Sequence, residues 1–249
     1  MSDVVIAIPA RFGSSRFPGK VTAWLAGKPV IRHVYEACVE ANLGRIVVAT
    51  ESPRVVTTCM QFGANVIMTP ESCQSGTDRI YQATENCDEK FIINVQGDEP
   101  FIQPSTIVKI AQLLRSDPSC DIATAVMATT DDAKIDNPNC VKAVLGTDMK
   151  ALYFSRSRIP FRRDPSEDNK NFVYWHHCGI YGYRKEALKR FVSLPQSSLE
   201  KMEKLEQLRA LENGMTIKCV QIEPAGPAID TEEDLHRAEA YYKELHGSH

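Results

Sequence analysis

The chain has 249 residues, 43% of them hydrophobic and 24% charged, with a formal net charge of −3. That length favours one α/β domain with an elaboration over two independent domains. The acidic balance excludes the basic footprint of nucleic-acid binding, no apolar run reaches membrane-spanning length, and "MSDVVIAIPAR" lacks the pattern of a signal peptide, so a cytoplasmic protein is expected. The eight cysteines are scattered without a C-x-x-C pair and are expected to be reduced thiols.

Val4–Ile8 is a compact apolar strand, followed by the polar loop "RFGSSRFPGK". Pro29 opens a helix in which Ile31, Val34, Tyr35 and Cys38 recur at helical spacing. Ile46–Ala49 is a second strand, Ser52 and Pro53 start a helix, and Val66–Met68 is a short third strand. A helix follows from about Asp78 to Cys87, with Thr77 as a possible cap, then the apolar strand Phe91–Val95. Pro104 and Ser105 begin the next helix, and Ile122–Met127 is a fifth strand.

The second half predicts a hairpin of "VKAVL" and "KALYF" around Gly146–Asp148, then a charged loop over 162–171 and a strand in "FVYWHHCGIYGYR". Helices near 184–192 and 201–213, a strand in "TIKCVQI" and a closing helix in "TEEDLHRAEAYYKEL" complete the chain. Apolar strands alternating with helices predict a mainly parallel Rossmann-like sheet, an α/β fold, with about 140–200 as a smaller inserted region within one domain spanning 1–249. Ligands in such sheets bind beyond the carboxyl ends of the strands, where the clusters after Ile8 and after Val95 both lie.

The loop after the first strand is neither a P-loop nor a dinucleotide loop. One residue too many separates Gly13 from Gly19, Val21 follows Lys20, and G-x-G-x-x-G is absent. Read alone, it is either a solvated turn or an anion cradle, its backbone N–H groups near Gly13–Ser15 flanked by Arg11, Arg16 and Lys20. "IPARFGSSRFPGK" resembles the signature loop of the CMP-Kdo synthetases, the 3-deoxy-manno-octulosonate cytidylyltransferases. The likeness continues in order through "GKPVIRHVYE", "QSGTDRI", "NVQGDEPFI", "ALYFSRSRIP", "CGIYGYR", "MEKLEQLRALENG" and "IDTEEDL". It departs at Val21–Thr22, where the family usually carries Pro-Leu, and at Glu232, where it usually carries Pro.

The resemblance implies a glycosyltransferase-A-like nucleotidyltransferase fold. The implied reaction joins CTP to the sugar acid Kdo for lipopolysaccharide assembly, with Mg²⁺ as cofactor and a homodimer as the working form. It makes Lys20, Arg11 and Asp98 catalytic and assigns the nucleotide to Arg11, Gly13, Ser14, Arg16, Lys20, Ser75, Gly76 and Arg79. Asp98 and Asp230 become the metal ligands, although on its own Asp98 reads as a turn residue and Asp230 as a helix N-cap. Gln96, Arg156, His177, Tyr181 and Glu206 are implied to hold the sugar; Tyr181 alone also reads as core and Glu206 as a solvated helix face. The alternatives are a cytidylyltransferase for 8-amino-Kdo or a sialic acid, a non-catalytic nucleotide-binding protein, or an NAD enzyme, the last disfavoured by the missing glycine fingerprint.

Overall fold

A computed structural model describes residues 2–14, 16–163 and 172–247. Ser15 and most of the predicted charged loop over 162–171 therefore lie outside the described residues. The elements run in the order β1 (Val4–Pro9), β2 (Trp24–Leu25), β3 (Lys28–Pro29), α1 (Val30–Ala41), β4 (Gly44–Thr50), α2 (Pro53–Met60), β5 (Val66–Met68), α3 (Gly76–Thr84), β6 (Phe91–Asn94) and α4 (Pro104–Ser116). Then come β7 (Ile122–Thr129), α5 (Asp132–Asp136), β8 (Lys142–Leu145), β9 (Ala151–Ser155), β10 (Tyr174–Arg184), α6 (Lys185–Ser193), α7 (Ser198–Glu203), α8 (Leu208–Glu212), β11 (Ile217–Gln221) and α9 (Glu232–His246). The chain forms two compact units: Met1–Val108 with Ala225–His249, and Lys109–Pro224.

In the first unit the strands stand in the order β6-β1-β4-β5, all parallel, with Val4 opposite Gly44 on one side and Phe91 on the other. Val4 to Ile8 are wholly buried, as a strand covered on both faces requires. The helices between strands are punctuated where the sequence predicts. Pro29 precedes α1, which ends at Asn42 in the left-handed region, and Ser52–Pro53 open α2.

Helix α3 begins two residues earlier than expected. Its cap is Ser75, not Thr77, in a capping box with Asp78. The small β2–β3 hairpin, missing from the sequence reading, turns through Ala26 and Gly27, both at positive φ. Helix α9 packs Ala238, Leu235, Tyr241 and Tyr242 against Leu25, Val30, Phe101 and Ile229, so the last stretch of chain joins the core of the first unit.

The second unit is mixed. β11 pairs β7 in parallel, while β10 is antiparallel to β7 and β8, and β8–β9 form the predicted hairpin. A bulge shifts the register of β10 against β7 between Cys178 and Tyr181. The helix expected over 201–213 is two short ones, because Lys204 adopts φ 54° and ends α7. All eight cysteines are free.

Candidate active site

The polar loop after β1 closes on one carbonyl. Phe12 O accepts from Ser14 N at 3.0 Å and from Gly19 N at 2.8 Å. Gly19 sits at φ 76°, and a Cβ there would come within 2.9 Å of the Phe12 ring, so the turn that presents Lys20 needs glycine. Lys20 then starts a 3₁₀ turn, Lys20–Thr22, and its side chain is mostly buried.

Two other segments of the first unit meet Lys20. The turn after β6 carries Asp98, and the segment returning to α9 carries Asp230. The backbone joins them, since Ile229 N donates to Asp98 O at 2.9 Å. Lys20 Nζ donates to the Asp98 carboxylate and to Asp230 Oδ1, the latter at 2.7 Å. Burial pulls the Lys20 ammonium toward lower pKa, but Asp98 and Asp230 outweigh it and hold it above the ordinary lysine value. Exposed Arg16 reaches Asp230 Oδ2 at 3.2 Å. Asp230 is not the cap of α9: Thr231 is, in a capping box with Asp234, which leaves the Asp230 carboxylate for the site.

A cavity of about 320 Å³ opens here. Arg11 and Lys20 wall it from the loop, Ser75, Gly76 and Arg79 from the start of α3, and Gln96, Asp98 and Asp230 from the remaining segments. Gly97, which the sequence reading passed over, also lines it; a Cβ there would stand 2.9 Å from Pro9 O, so only glycine permits that approach. Cys73 and Gln74 were likewise missed. Gly13 and Ser14 are not among the lining residues. Next to Asp98, burial and the neighbouring Asp98 and Asp230 charges push the Glu99 carboxyl up to about 7.

Among the described residues no group of three or more His, Cys, Asp or Glu side chains is placed to hold a metal. Two carboxylates, however, reach a single ammonium nitrogen, and such a pair can equally reach one hard cation. Mg²⁺ characteristically takes one or two protein carboxylates and completes its shell with water and phosphate oxygens. The donors present fit that ion.

Of the expected sugar residues, Gln96 lines the cavity of the first unit, with its Nε2 on Asn94 Oδ1 at 3.2 Å. The other four lie in the second unit. Arg156 donates through Nε to Glu203 O (2.7 Å), and through its terminal nitrogens to Pro138 O (3.0 Å) and Lys204 O (3.3 Å). His177 is buried, with Nε2 2.9 Å from Thr124 Oγ1, and burial drives its pKa down to about 3, so the ring is neutral. In a regular strand, residues four apart are separated by about 13 Å. The bulge in β10 brings the Tyr181 and His177 rings to 5.5 Å. Glu206 is partly buried, 4.0 Å from Arg209.

Residues 5–217 match the family model described as cytidylyltransferase. The 3-deoxy-manno-octulosonate cytidylyltransferase of Elusimicrobium minutum (strain Pei191) is 55% identical over 98% of this chain and 99% of its own. The 8-amino-3,8-dideoxy-manno-octulosonate cytidylyltransferase of Shewanella amazonensis (strain ATCC BAA-1098 / SB2B) is 45% identical over 95% and 97%. Among solved structures, CMP:2-keto-3-deoxy-manno-octonic acid synthetase complexed with CTP superposes with a TM-score of 0.92 at 40% identity, covering 97% of this chain and 99% of that one.

Proposed function

Because the chain belongs to the cytidylyltransferases, and among them to the 3-deoxy-manno-octulosonate enzymes, we propose that its residues divide the work of joining CTP to Kdo as follows. The anomeric hydroxyl of Kdo gives up its proton to solvent and attacks the α-phosphorus of CTP, the bond from that phosphorus to the α–β bridging oxygen breaks, and CMP-Kdo and pyrophosphate result. Such a transfer is governed by positioning and by neutralising charge on the phosphate oxygens.

Arg11 and Lys20 face the triphosphate, Arg11 as a fork for two oxygens and Lys20 as a compact charge at the α-phosphate or the leaving group. Arg16, Gly13 and Ser14 close the outer turn of the loop, while Ser75, Gly76 and Arg79 contact the nucleotide from α3. Asp98 and Asp230 would hold Mg²⁺, which when bound offsets phosphate charge. One observation carries this reading: a loop cation and two carboxylates from distant segments converge on one atom beside a cavity.

Gln96, Arg156, His177, Tyr181 and Glu206 recognise the sugar acid. His177 is neutral, so it orients a hydroxyl and supplies no positive charge. Charge for the carboxylate comes from Arg156, whose guanidinium donates to three backbone carbonyls among the described residues. The enzyme works in the cytoplasm, where CTP is made, and feeds lipopolysaccharide assembly; among the described residues no helix is long and apolar enough to cross a membrane.

It works as a homodimer through the second unit, where Phe161 and Met202 are 82% and 83% exposed. Light scattering at micromolar concentration should give twice the chain mass. The 45% identical relative acting on the 8-amino acid makes that sugar the second reading. Pyrophosphate release from CTP with Kdo, 8-amino-Kdo and a sialic acid decides between them. Release with Kdo should be fastest and should stop in EDTA; undiminished release in chelator would remove Mg²⁺ from the scheme.

A further inference from the structure

Resting on the reading that the cavity takes CTP, we infer that Glu51 is a positioning residue for the nucleotide, holding the signature loop and Arg79 in register from a single carboxylate. Glu51 is the first residue after β4, and its Oε1 accepts from Phe12 N at 3.0 Å. Phe12 is the pivot of the loop. Its carbonyl receives Ser14 and Gly19, and its ring packs between Gly19 and the Arg54 guanidinium, 5.1 Å from the ring centroid. The other oxygen, Oε2, lies 2.9 Å from Arg79 of α3, whose side chain is 6% exposed and whose same nitrogen donates to Thr69 Oγ1 at 2.5 Å.

Thus one anion ties together the end of β4, the loop that presents Lys20, and a guanidinium in the cavity wall. Removing it leaves a mostly buried cation without its counter-charge and the Phe12 N–H without its acceptor. The Phe12 N–H bond has an ionised acceptor and the Arg79 contact is a buried ion pair without a hydrogen bond, so both attachments count. The effect belongs to the nucleotide, because the loop and Arg79 both border the cavity; the sugar residues of the second unit make none of these contacts.

Steady-state kinetics with CTP and Kdo varied separately test this, together with CTP calorimetry and hydrogen exchange of residues 10–20. Glu51→Ala should raise KM for CTP roughly tenfold, lower kcat, and leave KM for Kdo within about twofold. Glu51→Gln, whose amide oxygen still accepts from Phe12 but which gives Arg79 no counter-charge, should raise KM for CTP by roughly three- to fivefold, between wild type and alanine. Exchange in the loop should quicken in the alanine variant and not in the glutamine variant.

A folded Glu51→Ala with unchanged KM for CTP overturns the inference. So does a fall in maximal rate with both KM values unmoved, which is what a mere loss of folded molecules produces. Should Glu51→Ala fail to fold, Glu51→Asp serves: its shorter reach should raise KM for CTP at least about threefold, and a KM within about twofold of wild type overturns the assignment. Wild-type protein that binds no CTP would overturn the reading of the cavity itself, whereas wild-type and Glu51→Ala proteins binding CTP equally would overturn the role of Glu51 alone.

Discussion

Lys20 in the first unit and Lys142 in the second are both mostly withdrawn from water, yet they are held by different partners. Lys20 meets two carboxylates at the edge of a cavity. Lys142 is 1% exposed, and its ammonium donates to the carbonyls of Asn137 (3.0 Å), Cys140 (2.6 Å) and Arg156 (2.5 Å). Burial draws Lys142 below the ordinary lysine value, because neutral carbonyls do not offset lost hydration as carboxylates do for Lys20. An ammonium surrounded by carbonyls fastens chain segments and has no partner to exchange. One shared by carboxylates at a cavity can trade an anion for a phosphate at little electrostatic cost. The same distinction runs through the arginines: Arg184 fastens Leu114, Asp117 and Cys120 by their carbonyls, whereas Arg11 borders the cavity.

The sharpest break of this comparison would come from the two lysines themselves. Lys20→Ala, like Asp98→Asn, should lower kcat by about two orders of magnitude or more, the scale for a preorganised electrostatic group, while the urea midpoint holds. Near-wild-type turnover in either would contradict its assignment. Lys142→Met should do the reverse, destabilising the fold by roughly 3 kcal/mol through unsatisfied carbonyls while turnover per folded molecule is preserved; denaturant curves beside active-site titration measure both.

A pH series sharpens the second unit further. Folded protein keeps His177 neutral down to about pH 3, whereas the unfolded chain takes up that proton near 6.5. Below about 6.5 the unfolded state therefore binds more protons, and stability falls with pH toward 3 by up to about 1.4 kcal/mol per unit from this group. His177→Asn should flatten urea-derived stability across pH 4 to 6; an unaltered slope would place the ring in water. The smallest effect is expected at Glu206. Glu206→Ala should raise KM for the sugar acid by about two- to tenfold and leave CTP binding unmoved, and calorimetry showing CTP affinity lost instead would reassign that residue to the nucleotide.

Much of the first unit was legible because buried parallel strands are continuous apolar runs. Val66–Met68 has the predicted bounds, and Pro104 opens α4 as expected. The β2–β3 hairpin was not legible, since two-residue strands carry no period and only the Ala26–Gly27 turn marks them. Nor was the break at Lys204, a left-handed residue with a side chain that gives no local signal. The cavity-facing loop, Ser75, Asp98 and Asp230 were named from the resemblance, but Asp230 read by itself as a cap. The T-x-x-D spacing of Thr231 and Asp234 is itself a capping-box signal, which the sequence reading passed over and the structure bears out. Glu51 carried no motif at all, because its importance lies in two partners 39 and 28 positions away, a backbone N–H and a buried guanidinium.

Lys20 and Asp230 are 210 positions apart in the chain, and every residue of 109–224 is made between the first part of the first unit and its last. A ribosome building this protein therefore lays down the loop, α3 and Asp98 early and supplies the second carboxylate only after the intervening unit has emerged. Until then Lys20 has one anionic partner of its pair, and α9 has yet to join Leu25 and Phe101. The contact set around Lys20 is thus completed only when the last part of the chain has been made.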